Sequence, residues 1–271
     1  MLCNIRRTFA ACTLTLVAAI VTCGCSASTK PVQPPSTSSE AESNEAAKQV
    51  GLILSTGGAP GAALSSFVAR RATAFAAVPN TLPQASPVET TVTTGSVTWK
   101  LAIQWYDAQG LAQPAYDPQT TVRAHVDALG TGRVTRTDGS TRIGAAGTFD
   151  VLGVDAQSSK LTANGSNVDT LVYTVQEQTG PVTVTALAAG ALADVVEMKP
   201  VAGNYPASGT GTWDVTLTRR VGPGDGPPSE RFRGVVVVTF NGTHLVPLVV
   251  NGTWRFILDL NTGKVLPPRV S

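Results

Sequence analysis

Hydrophobic and polar residues alternate along most of the chain after residue 87, and glycine, proline and asparagine interrupt the alternation at short intervals. In the stretch 97–105 the apolar side chains larger than alanine all stand at odd positions, and in 211–219 Trp213, Val215 and Leu217 follow the same rule. A period of two predicts β-strands with one buried face. Further strands are predicted at 121–129, 131–137, 141–152, 168–178, 181–187 and 191–199.

The last third of the chain carries the clearest strand pattern. The run 235–238 consists of valines that are apolar on both faces, which predicts a central strand covered on both sides. The pairs Asn241-Gly242 and Asn251-Gly252 are typical of tight hairpins, because both residue types tolerate a positive φ. Together these signals predict three consecutive antiparallel strands at the C-terminal end.

A helical pattern precedes the strands. Ser39 and Glu42 form a capping-box pattern, in which each side chain can satisfy a backbone N–H of the other residue. Ala46 and Val50 follow at helical spacing, and the glycines in 56–58 predict the end of the helix.

A second amphipathic stretch, 60–79, predicts another helix. The segment 40–80 is therefore expected to be helical and to pack on a β domain formed by residues 87–271. The predicted fold class is mainly β: a large antiparallel curved sheet or a sandwich of roughly eight to eleven strands, with one or two N-terminal helices. Only 14% of the residues are charged, which is typical of an exported β protein rather than a cytosolic helical one.

The first residues have the layout of an export signal. Arg6 and Arg7 precede the apolar stretch 9–22, which is short for a membrane-spanning helix and has the length of a signal-peptide core. The two arginines also look like part of a twin-arginine signal, although a general secretory signal is the favoured interpretation. Residues 1–24 are expected to be the signal peptide, and 25–39, rich in serine and proline, a disordered tether.

The end of this signal resembles the lipobox of bacterial lipoprotein precursors. In that class a cysteine after small residues is acylated and becomes the first mature residue, and Gly24-Cys25 matches this ending. Cys23 is the alternative, and Thr22 departs from the leucine usual at its position. The resemblance implies attachment to the cell envelope through fatty acyl chains on Cys25. Ser26 favours the outer membrane if the organism has one, since an aspartate there would resemble an inner-membrane retention signal.

Cysteine placement and charge exclude several classes of site. All four cysteines lie within the first 25 residues, so no disulfide, thiolate metal site or cysteine nucleophile is expected in the β domain. The formal charge of +2 falls to zero when Arg6 and Arg7 are removed with the signal. A neutral chain offers no general attraction to nucleic acid, which is not expected to be a partner.

Residues of catalytic type are sparse. The chain contains neither a Gly-x-Ser-x-Gly elbow nor a Ser-x-x-Lys pair. His125 and Asp127 lie two positions apart on a predicted strand and offer two metal ligands, but the sequence nominates no third, so a solvated strand face is expected. No catalytic residue, metal or cofactor is assigned. A hydrolase based on paired carboxylates remains an alternative. The candidate pairs are Asp150 with Asp155 and Glu177 with Glu197.

Two sets of residues are candidates for binding. Four arginines flank the stretch 222–228, whose adjoining strands should pair and bring the arginines together for contact with an anionic surface. Four tryptophans stand at strand positions that could line a cavity in a curved sheet. The arginines are Arg219, Arg220, Arg231 and Arg233, and the tryptophans are Trp99, Trp105, Trp213 and Trp254.

These observations favour a membrane-anchored envelope lipoprotein with a non-catalytic β-rich domain that binds a partner or serves structurally. The alternatives are a carrier of an apolar ligand or lipid in a cavity of the sheet, and a carboxylate-based hydrolase. The expected partners are the membrane, through the lipid anchor, together with an envelope protein, a wall polymer or an apolar ligand.

Overall fold

The computed structural model describes residues 39–55, 87–94, 96–136, 139–177, 180–199, 205–222 and 229–267. The predicted signal peptide, most of the tether and the second amphipathic stretch lie outside these residues. The described elements are, in chain order, α1 Glu40–Ser55, β1 Val88–Thr94, β2 Val97–Asp107, β3 Ala112–Gln113, β4 Thr121–Arg136, β5 Gly139–Leu152, β6 Lys160–Glu177, β7 Gly180–Met198, β8 Ser208–Val221, β9 Ser229–Thr239, β10 Leu245–Val250, β11 Trp254–Asp259 and β12 Val265–Leu266.

The strands form a single antiparallel sheet of twelve strands. Each strand pairs with the next one in the chain, except that the short β3 pairs with β2, and β4 then pairs with β2 as well. This order needs only hairpin connections between neighbours. The sheet is open, with β1 at one edge and β12 at the other. The structure therefore confirms the predicted large antiparallel sheet, and it excludes the sandwich alternative for the described strands.

One face of the sheet, termed the inner face, carries the buried core. Strand registers place the buried residues of successive strands on this same side. Its largest fully buried side chains include Trp105, Phe149, Leu171, Trp213, Leu248 and Leu258. The opposite face, termed the outer face, is largely exposed, and even its apolar residues Leu129 and Leu187 are open to solvent. This separation is what a period-two sequence produces in a sheet with one solvated face.

The helix α1 packs against strands β8 to β12. The predicted capping box is present: Glu42 N donates to Ser39 Oγ over 3.3 Å, and Ser39 N donates to Glu42 Oε2 over 3.0 Å. The helix ends at Ser55, directly before the predicted glycines, and buries Val50 and Ile53 against the sheet. Gly51 lets the helix approach the backbone of Gly263 closely, because a Cβ at position 51 would overlap that backbone.

Two predicted strand breaks do not exist. The sequence suggests interruptions at Gly130 and near Gly190, but β4 and β7 run through these positions. Both glycines lie beneath aromatic rings of the neighbouring strand: Trp99 covers Gly130, and Trp213 covers Gly190. A Cβ at either position would overlap the ring, so the glycines serve cross-strand packing rather than a turn.

The predicted C-terminal meander is confirmed by β9, β10 and β11. Asn251 and Gly252 both have positive φ, 50° and 69°, as the Asn-Gly pair predicts. The expectation that the valine run is covered on both sides is wrong. Val236 and Val238 are buried on the inner face, whereas Val235 is 37% exposed on the outer one. A single sheet has no second layer to cover that side.

Candidate functional site

All four predicted tryptophans lie on the inner face. Trp99, Trp105 and Trp213 are buried, and Trp254 is partly buried and packs against the core. They form separate groups, because Trp99 and Trp105 lie on β2, and four strands separate β2 from β8, which carries Trp213. The structure thus places the tryptophans on one surface without bringing them into one cluster.

A polar pair lies between these groups, near the middle of the sheet. Asn167 and Asp169 stand at alternate positions of β6, in phase with buried Leu171. Both are buried, with exposures of 3% and 0%. Their cross-strand neighbours on β5 and β7 are small. Asn167 pairs with Gly147 and Gly190, and Asp169 pairs with Ala145 and Ala188.

The hydrogen bonding of this pair is incomplete. Asn167 Nδ2 donates to Asp169 Oδ2. The Oδ1 atoms of both residues have no hydrogen-bond partner among the described residues. Burial raises the pKa of Asp169 to about 8, although the hydrogen bond from Asn167 opposes the rise. The Asp169 carboxyl is therefore mostly neutral at pH 7.

Trp213 brings an unpaired donor to the same region. Its Nε1 is buried without a hydrogen-bond partner in the described part of the chain. The atom lies over Gly190, where a Cβ would overlap it, and Gly190 is the direct cross-strand neighbour of Asn167. A buried indole N–H normally has a partner. We term Asn167, Asp169 and Trp213 the polar subsite. The sequence predicts a binding role for Trp213, whereas it gives no such prediction for Asn167 and Asp169.

His125 belongs to a different group on the outer face. Its Nδ1 lies 3.2 Å from Asp150 Oδ1, and its Nε2 lies 3.3 Å from Thr148 Oγ1 and 3.8 Å from Asp127 Oδ1. Arg123 adds an ion pair to Asp150 over 3.9 Å. The described residues contain no group of three histidine, cysteine or acidic side chains arranged to hold a metal ion. Because these side chains are substantially exposed, the network contributes little to stability.

The carboxylates of the hydrolase alternative have separate surroundings. Asp155 lies in the turn after β5, where it accepts hydrogen bonds from Gln157 N and from the backbone and hydroxyl of Ser158. Burial alone would raise the pKa of Asp155, but these hydrogen bonds outweigh it and lower the pKa. Asp150 is engaged on the outer face, and Glu197 is buried at the end of β7. The side chain of Glu177 is outside the described part.

No protein-family model, curated protein or solved structure matches the chain. Within the described ranges, no helix is long and apolar enough to span a bilayer. The proposed function therefore rests on the geometry of the described residues.

The four arginines lie on β8 and β9, which pair directly, as the flanking positions predicted. Arg219 and Arg220 are consecutive on β8, so their side chains leave opposite faces of the sheet. Arg219 is half-buried, whereas Arg220, Arg231 and Arg233 are exposed. Pairing of the strands therefore brings the arginines near one another but divides them between two surfaces.

Proposed function

We propose that this chain is a membrane-anchored envelope lipoprotein whose β domain is non-catalytic and carries an apolar ligand at its inner face. The observation that carries the proposal is the placement of all four tryptophans on that one face, around a centre of small residues. Ligand sites for apolar molecules are mostly hydrophobic and aromatic, with a few polar groups that fix orientation. The inner face has this composition.

Unpaired indole donors favour a binding role over a purely structural core. Besides Trp213, Trp99 also has a buried Nε1 without a hydrogen-bond partner among the described residues. Leaving a buried donor unsatisfied costs about 1–3 kcal/mol, so a core selected only for stability is expected to avoid it. A ligand that supplies acceptors would relieve this cost. The helix α1 covers the part of the inner face formed by β8–β12, beside this centre.

The ligand is tested by comparing two substitutions on one strand. Ala188 is buried on the inner face of β7, and Ala189 is exposed on the outer face. Ala188→Phe is expected to fill the centre of the inner face and remove bound ligand, whereas Ala189→Phe keeps it. The measurement is mass spectrometry of organic extracts from each purified, folded protein. If extracts of the unsubstituted protein contain no apolar molecule and delipidated protein binds none, the carrier role is wrong.

The anchor is tested at the two candidate cysteines. Cys25→Ala is expected to abolish incorporation of labelled palmitate and to release the protein from membranes, because the acylated sulfur is lost. Cys23→Ala is the matched control and is expected to keep both. The reverse result would move the anchor to Cys23. Absence of label from the unsubstituted protein would contradict the lipoprotein assignment.

A further inference from the structure

We propose that the polar subsite, formed by Asn167, Asp169 and Trp213, binds the hydroxyl head group of a neutral amphiphile such as a long-chain alcohol or a monoacylglycerol. This inference rests on the proposed carrier function and names the chemical class of its ligand. The hydrocarbon part would lie along the apolar inner face, and the hydroxyl group would meet the polar atoms at the centre of the sheet.

The unsatisfied atoms define what the ligand must supply. Asn167 Oδ1 is an acceptor that needs a donor, Trp213 Nε1 is a donor that needs an acceptor, and the neutral carboxyl of Asp169 can donate through its O–H as well as accept. Buried polar groups in folded proteins are nearly always hydrogen-bonded, so three open positions in one region indicate a missing partner. A hydroxyl group both donates and accepts, and it can serve both kinds of atom at once.

The spacing of Trp213 and Asn167 allows one hydroxyl oxygen to bond to both side chains. Trp213 Nε1 lies over Gly190 on β7, and Asn167 is the paired residue on β6. Paired strands lie about 4.8 Å apart. One oxygen placed between the indole and the amide can form two hydrogen bonds of about 2.9 Å each across this distance. The glycines and alanines opposite Asn167 and Asp169 leave no long side chain in its path.

The polar groups of the inner face disfavour lipids with an acidic head group. No lysine or arginine is buried in the described part of the chain, so these residues offer no buried cation to a carboxylate or phosphate on the inner face. Such a group would also face the acceptor Oδ1 of Asn167. The raised pKa of Asp169 keeps that side chain neutral at pH 7 and is consistent with a neutral ligand. Burial of an unpaired charge is strongly unfavourable.

Quenching of tryptophan fluorescence by brominated lipids tests this inference, because every tryptophan of the chain lies on the inner face. The probes are dibromostearic acid and its monoglyceride, added to the delipidated full chain at pH 7. The monoglyceride is expected to bind at least about tenfold more tightly. Asp169→Leu is expected to weaken this preference while both probes still bind, because one polar partner of the hydroxyl is lost, and Asp169→Asn, which keeps a donor and an acceptor, is expected to retain it.

Thr170→Leu on the outer side of the same strand is the control and is expected to leave the preference unchanged. Equal binding of the two probes to the unsubstituted protein would overturn the head-group assignment, although the carrier role would stand. An unchanged preference in folded Asp169→Leu would also overturn it and leave the polar pair a structural feature. If neither probe quenches, the carrier role itself fails.

Discussion

Replacing Asp169 by asparagine is expected to stabilise the folded protein at neutral pH, by an amount that grows as the pH rises from 5 to 8. The usual pKa of an aspartate, 3.8, applies to the unfolded chain, whereas burial raises the pKa to about 8 in the folded protein. Between these values the unfolded chain has lost the proton that the folded chain keeps. Folding must then take up a proton, so the free energy of unfolding falls as the pH rises.

The slope is at most about 1.4 kcal/mol per pH unit. Asp169→Asn cannot titrate, so its advantage over the unsubstituted protein should increase by about 3 kcal/mol between pH 5 and pH 7. Urea denaturation at several pH values measures this difference. The lowered pKa values of Asp155 and Asp259 do not interfere, because the stability they contribute is lost only as the pH falls below about 4.

Asp214 provides the matched control, since it is exposed on the outer face of β8. Asp214→Asn is expected to keep the pH dependence of the unsubstituted protein. Parallel stability curves for Asp169→Asn and the unsubstituted protein would show that Asp169 ionises normally in the fold.

Gly190→Val is expected to destabilise the fold by about 3 kcal/mol, because the new side chain must occupy the space of the Trp213 ring. Trp213→Ala alone is expected to cost about 4 kcal/mol through the cavity it leaves in the core. When both changes are combined, the valine partly fills that cavity. The double variant should therefore be more stable than the sum of the two single effects implies, with a coupling of about 1–3 kcal/mol.

Gly144 is the control for backbone effects. It lies within β5, and a Cβ added there would meet no atom within 4 Å. Gly144→Val is expected to change stability by less than about 0.5 kcal/mol or to increase it, because valine favours strands. Two results would contradict the interpretation that position 190 requires glycine because of its contact with Trp213. One is a loss of stability in Gly144→Val as large as that in Gly190→Val, and the other is additive effects in the double variant.

The parts of the fold that sequence predicts well are those fixed by local pattern. The start of α1 follows from Ser39 and Glu42, which are three residues apart and bond to each other. The buried face of β2 follows from alternation alone, since every inward residue from Val97 to Trp105 is apolar. The Asn251-Gly252 turn likewise needs only its own two residues.

The sequence-based predictions are wrong where the residue that explains a position lies on another strand. Gly130 resembles a strand end until the register shows Trp99 beside it, and sequence alone does not give the register. Asn167 and Asp169 resemble solvent-facing residues for the same reason. The available signal was their phase with Ala163 and Leu171, but the predicted strand began at 168, whereas β6 begins at Lys160. The predicted strand already contains Asp169 in phase with Leu171, and the earlier start of β6 adds Asn167 to the same face.

The docking of α1 joins the two ends of the described chain. The helix precedes all the strands in sequence, yet it packs against β8–β12, which are the last strands to be synthesised. Contacts between such distant segments form late, because the intervening chain must first be ordered. During synthesis, α1 therefore cannot dock until the final strands have formed. A chain shortened before β10 would leave part of its apolar side uncovered and prone to aggregation.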